Sequence, residues 1–229
     1  MESLKSKIYP RLTKSYVVVL VMLVAPLLNY FDRNYSFFFG LAIVGLLLWS
    51  SNFQWSLFGF TKKLTKKTIL KSVLLTLCLI LIDNFVGVLV KQYFGEPDLS
   101  SLDIAGDTLN YIVILIVVWT LVAFGEEFLF RGYYLKWLAQ FFGNTKIAWL
   151  FAGILVSIYF GVSHYYQGIS GMMTIAIISL FTSFIFYKNK DNLWILILIH
   201  ALHDTWGLTY LYLGRSSPVK QLFEQLLLH

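Results

Sequence analysis

Charge is what this sequence has least of. Only 13% of its 229 residues are charged, while 58% are hydrophobic and the mean hydropathy is +0.72. A soluble domain carries roughly 25% charged residues. There is too little charge to coat a water-facing surface, and more apolar area than one core can hide. A soluble enzyme and a disordered segment are both excluded. Cysteine is scarcer still: the one thiol, Cys78, lies in an apolar run, so a scaffold held by intrachain disulfides is excluded as well. Four prolines leave no room for long Pro-rich linkers. The chain shows no internal repeat and no low-complexity tract.

What is present is a series of uncharged runs. Since a membrane span needs about 20 mostly apolar residues, the runs predict about seven spans, with six to eight as the range. The first covers Ser15 to Phe31 and follows Lys5, Lys7, Arg11 and Lys14. That basic start is like a signal peptide's, but no A-x-A-like site follows, so it reads as an uncleaved span. The second runs from about Asn34 to Trp49, and the aromatic stretch Asn52–Phe60, with Trp55, suits an interface. The third covers about Thr68 to Tyr93, with Asp83 and Asn84 near its middle. The fourth begins near Thr108 and carries Glu126, Glu127 and Arg131. From Ile147 to Tyr187 there is no formal charge, which predicts two spans joined by a turn among Gly161, Ser163, His164, Gln167, Gly168 and Gly171. A last span, about Leu193 to Leu213, holds His200, His203 and Asp204. The tail from Ser216 is amphipathic, and the expectation is that it lies along the interface. The fold expected is all-α, a polytopic membrane helical bundle forming one domain over 1–229.

The placement of charge predicts the orientation. With a cytoplasmic N-terminus, alternating spans put fourteen of the eighteen basic residues on the inner side, among them Lys62, Lys63, Lys66, Lys67 and Lys71. Arg33, Lys91, Arg215 and Lys220 fall outside, with the acidic loop of Glu96, Asp98, Asp103 and Asp107. This follows the positive-inside rule. The net charge of +6 is therefore a topology signal and implies no nucleic-acid partner.

Charges inside a bilayer cost about 2.5–3.5 kcal/mol each on insertion scales, so those that stay there need a reason. Three constellations have one. In Glu126-Glu127-x-x-x-Arg131, Glu127 and Arg131 share a helix face in the favourable acid-before-base order. Glu126 lies about 100° round the helix and has no local partner, which suits it to accept and donate protons. The plainer alternative is a structural ion-pair network. Phe160-x-x-x-His164 is weak by itself, since a lone histidine at a span end is often interfacial. In His200-x-x-x-Asp204 the two side chains lie one turn apart, so Asp204 can orient His200, or both can line a polar site. Asp83 and His203 carry no assignment beyond a counter-ion and a supporting or interfacial residue.

Together, EExxxR, FxxxH and HxxxD, in this order and each on its own span, resemble the motifs of the CPBP family. Those are the CAAX prenyl protease type 2 and bacteriocin-processing, Abi-like, intramembrane proteases. The resemblance covers Glu126 to Asp204, within a motif core of about 108–213, and leaves the first three spans unmatched. It implies a hydrolase, an intramembrane endopeptidase that cuts a membrane-associated peptide or membrane-anchored protein. On that resemblance Glu126 and His164 would activate a water. His200 and Asp204 would stabilise the oxyanion, Asp204 as the partner that orients or charges His200. Glu127, Arg131 and Phe160 would support the site. The cofactor stays open: none, with glutamate-activated water, or a divalent metal such as zinc on His164, His200 and Glu126. The compact chain looks more like bacterial members, placing it as a multi-pass protein of the cell membrane. Two further readings compete, a non-catalytic bacteriocin immunity or scaffolding protein of the same fold and a proton-coupled transporter. One geometric tension accompanies the motifs. Straight spans would leave Glu126 and His164 far apart, so span four must tilt or begin higher, or span five must start deeper.

Overall fold

Three of the long helices begin at side chains that cap them. Thr65, Asp107 and Thr145 each accept a bond from a backbone N–H three residues on, at Thr68, Asn110 and Ala148 (3.2, 3.0 and 3.1 Å). An N-terminal turn leaves its first N–H groups unpaired, and these oxygens satisfy one of them. The computed structural model describes residues 2–228, with side chains for 4–227. Its helices are α1 (Glu2–Leu12), α2 (Ser15–Val24), α3 (Tyr35–Ser50), α4 (Lys66–Phe94), α5 (Thr108–Phe141), α6 (Lys146–Ser163), α7 (Gly168–Lys188), α8 (Trp194–Tyr212) and α9 (Pro218–Leu228). No strand occurs among the described residues; a single bridge joins Phe60 and Asn192.

Among the described residues, four helices are long and apolar enough to cross a membrane, and a pair bent by 81°, Leu4–Leu12 with Ser15–Tyr30, makes at most five. The expected seven would also count α3, which has 16 residues, and α8, whose hydropathy is lowered by His200, His203 and Asp204. By length and composition the number is four or five. The outward faces are apolar: Leu70, Leu74, Leu77 and Leu81 on α4, and Ile112, Ile116 and Leu121 on α5, are all exposed. Such rows are stable against hydrocarbon, where helices alone satisfy their own backbone. The chain is a multi-pass membrane protein.

The core gathers round the lower half of α5. All nine residues of Glu127–Leu135 are buried, between α2, α3, α6, α7, α8 and the Trp55–Phe58 turn. This stretch is π-helical, as is Val118–Val122. A π-helical turn adds a residue and usually marks a functional segment within an α-helix. Phe58 stacks on Trp137 and packs on Phe128, at ring separations of 5.4 and 4.8 Å.

The connections sort to two ends. At one, Thr61 and Lys62 donate to the Asp191 carbonyl and Lys71 bonds Asn189, which brings the lysine-rich turns together. At the other, Asp98 donates to Gln167 and Gly106 to Tyr212. The amphipathic tail is helical. It forms α9 and packs on α4 of its own chain, with Phe223 edge-on to Phe85, Glu224 bonded to Lys91 and Ser217 bonded to Asn84. Its Leu222 and Leu226 stay exposed.

Candidate active site

Helix α5 runs 34 residues, well past the segment needed to cross a bilayer. That length removes the tension between Glu126 and His164. Neither a higher start of α5 nor a deeper start of α6 is needed: α5 begins at Thr108 as expected and continues to Phe141, where a short turn leads into α6. Counted from that shared turn, both residues stand on the order of 20–27 Å up their helices, at about 1.5 Å per residue. They line one cavity of about 1150 Å³, together with Glu127, Arg131, His200, His203, Asp204 and Asp83. Every residue expected at the site from sequence is among or beside these linings, Phe160 included.

Glu127 is the hub. Its Oε1 accepts from Arg131 Nη1 at 3.0 Å and from His200 Nδ1 at 2.8 Å. Both Glu127 and Arg131 are about 98% buried. The rest of the guanidinium is taken by α7: Nη2 donates to Ser179 Oγ at 2.9 Å and Thr182 Oγ1 at 2.6 Å. Its flat face rests on the Phe160 ring, 4.9 Å from the centroid. An ion pair this deep is stable only when its remaining donors are matched, and Ser179 and Thr182 supply most of that matching. The same Phe160 ring meets the His164 imidazole edge-on at 4.7 Å, so Phe160 joins the first motif to the second.

Hydrogen bonding sets the histidines. His164 Nδ1 lies 2.8 Å from the Phe160 carbonyl, an acceptor only, so Nδ1 carries the hydrogen and Nε2 is left toward the cavity. His200 Nδ1 faces Glu127, already ionised against Arg131, and so donates. His200 Nε2 lies 3.3 Å from Asp204 Oδ2 and 3.7 Å from Glu126 Oε2. Close approach of helices holds this arrangement. A Cβ on Gly161 would stand 2.6 Å from the Met172 carbonyl oxygen, so only glycine lets α6 and α7 cross where they do.

Charge counting then singles out one carboxylate. Glu126, Glu127, Asp204 and Asp83 face the Arg131 guanidinium and the imidazoles of His200 and His203, while His164, the third imidazole on the cavity, spends its Nδ1 hydrogen on the Phe160 carbonyl. Even with both imidazoles protonated, one acid lacks a positive partner. Arg131 is committed to Glu127, and Asp204 sits between His200 and His203. Glu126, reached only by the longer 3.7 Å approach of His200, is that acid. The set considered for zinc does not converge: among the described residues no three His, Cys, Asp or Glu side chains are disposed to hold a metal ion. His200 has Glu127 on one nitrogen and Asp204 on the other, so neither is turned toward a shared centre with His164.

Sequence reasoning did not find Ser179 and Thr182, which look like ordinary small polar residues of an apolar run. It also left Asp83 and His203 unconnected, although they lie 3.3 Å apart. Two ionisable residues in separate spans were the available signal.

An acid–imidazole cluster lining a cavity within an apolar helical shell defines a membrane protein with a polar intramembrane site. Residues 108–206 match the family model described as Type II CAAX prenyl endopeptidase Rce1-like. The match is somewhat under half of the chain and holds all three motifs. No curated protein and no solved structure matches the chain.

Proposed function

We propose that this protein is an intramembrane endopeptidase that hydrolyses a peptide bond of a membrane-associated peptide or protein by glutamate-activated water. The observation that carries the reading is Glu126, a carboxylate on the cavity wall reached only by His200 at 3.7 Å, beside a Glu127 whose Oε1 is committed to Arg131 and His200. A water bound there gives one proton to Glu126 and directs the other to the bare Nε2 of His164. Its oxygen attacks the substrate carbonyl. The resulting oxyanion is stabilised by a protonated His200, held by Asp204 and Glu127. Glu126 then passes the proton to the leaving amine, which completes hydrolysis with one water consumed. Asp204, as an ionised acceptor, would repel an oxyanion and so acts by orienting and charging His200. Arg131, Glu127 and Phe160 position the helices and touch no reacting atom.

The test uses the full chain in detergent or liposomes, with a fluorogenic farnesylated CAAX peptide and its unprenylated counterpart as probes. In parallel, new protein termini are mapped in membranes from cells that express the wild type or Glu126→Gln at equal levels. Cleavage or termini that depend on Glu126 support the reading. Identical termini in both strains, with neither probe cut, overturn it in favour of a non-catalytic protein of the same fold. A partner-binding or immunity phenotype that Glu126→Gln retains fits that alternative as well.

A further inference from the structure

The mechanism uses His200 and Asp204 but leaves a second acid–imidazole pair beside them unexplained. His203 Nε2 lies 3.3 Å from Asp83 Oδ2, and His203 Nδ1 lies 3.6 Å from Asp204 Oδ1. Asp204 Oδ2, its other oxygen, faces His200 Nε2 at 3.3 Å. The two oxygens of one carboxylate are thus divided between two imidazoles. An aspartate has only a short side chain to fix, and a partner on each oxygen sets its second torsion.

We propose that Asp83 and His203 are a positioning pair that aims Asp204 at His200, so that α4 completes the candidate active site from outside the family-matched segment. The proposal rests on the peptidase reading above. The structure gives α4 reasons to be held in place. Ser217 at the start of α9 donates to Asn84, the neighbour of Asp83, at 2.9 Å, and Asn84 donates back to the Ile80 carbonyl at 2.7 Å. Glu224 of α9 accepts from Lys91 one turn and more further along. Helix α9 therefore holds α4 from Asn84 to Lys91, directly after Asp83, and α4 in turn packs on α8, which carries His203. A pair that served only to join α4 to α8 would not need to reach Asp204. The groups facing His203 are Asp83 from α4 and Asp204 from its own helix; both are acidic, which directs both ring nitrogens as donors toward oxygen.

The test measures kcat and KM on the farnesylated CAAX peptide for His203→Ala, Asp83→Ala and the double variant. His203→Gln and Asp83→Asn, which keep hydrogen-bonding capacity, are the conservative controls. Residues that orient a catalytic group typically carry 10–100-fold effects. Each alanine variant is expected to lower kcat about tenfold with KM unchanged, and the double variant to be no worse than either single, because the two act as one unit. The conservative variants should recover most of the loss. A second readout does not depend on activity: in protein labelled with ¹⁵N at its four histidines, Asp83→Ala should shift the ring signals of His200, which Asp83 does not touch. Unchanged His200 signals, unchanged kcat in folded protein, or losses that multiply in the double variant overturn the proposal. If Glu126→Gln keeps full activity while the His200 signals move as expected, the peptidase reading fails and the positioning pair stands.

Discussion

Glu127 and His200, 73 positions apart in the chain, share a hydrogen bond of 2.8 Å on the same carboxylate oxygen that pairs with Arg131. One oxygen thus ties the first motif to the third and leaves its neighbour Glu126 only the longer 3.7 Å approach of His200. The division of labour between two adjacent glutamates follows from this bond.

Replacing the two glutamates separates those roles. Glu126→Gln should abolish cleavage, by about 10²–10⁴-fold as for loss of a general base, while the protein folds and inserts normally. Glu127→Gln should lower activity and stability together, since it strands Arg131 and loosens His200. Thermal unfolding in detergent alongside the cleavage assay distinguishes the two.

Arg131 is expected to be the costliest single residue to truncate. Arg131→Ala leaves a buried Glu127 without its partner, and breaking a buried pair from one side costs about 3–5 kcal/mol. Expression level and unfolding midpoint would show it. Arg131→Lys should recover little, since a lysine cannot reach Glu127, Ser179 and Thr182 at once.

The α6–α7 crossing depends on Gly161. Gly161→Val should force the helices apart and move His164, lowering stability by about 1–3 kcal/mol, as overpacking does, and lowering activity further. Gly207→Ala is the control, because a Cβ there meets nothing within 4 Å.

Chelation supplies a separate check. Cleavage is expected to survive a strong chelator, since no three His, Cys, Asp or Glu side chains among the described residues are disposed to hold a metal ion. Activity lost on chelation and restored by zinc would overturn the water mechanism as written.

Outside the membrane, the clamp of α9 should respond to acid. Glu96 is partly buried, which alone would raise its carboxyl, but its bonds to Lys91 and Lys220 outweigh this and hold it below the usual glutamate range. A lowered folded value means the contact stabilises fully above the ordinary glutamate value and is lost as pH falls through the lowered one. Hydrogen exchange over 95–100 and 216–224 should therefore quicken only in that acid window, and Glu96→Gln should quicken it at neutral pH.

The ionisable residues of the spans were legible because they are expensive in lipid, and three of their spacings matched helical turns. Glu127–Arg131, Phe160–His164 and His200–Asp204 are each local, so a linear reading could pair them. The helix break near 164–168 was legible from glycine and polar residues. The long reach of α5 past the bilayer was not, because its lower part is apolar enough to be read as buried and carries no break.

By itself the sequence determined that the protein lives in a membrane, that it is helical, and which acids and imidazoles are too costly to be incidental. Those are consequences of composition and of spacing within single helices. The tertiary structure alone decided that Glu127 serves both Arg131 and His200, that Ser179 and Thr182 complete the guanidinium, and that Asp83 reaches His203. Each joins residues on different helices, and such contacts depend on how π-helical turns and glycine crossings rotate the helices against one another, which no spacing along one helix encodes.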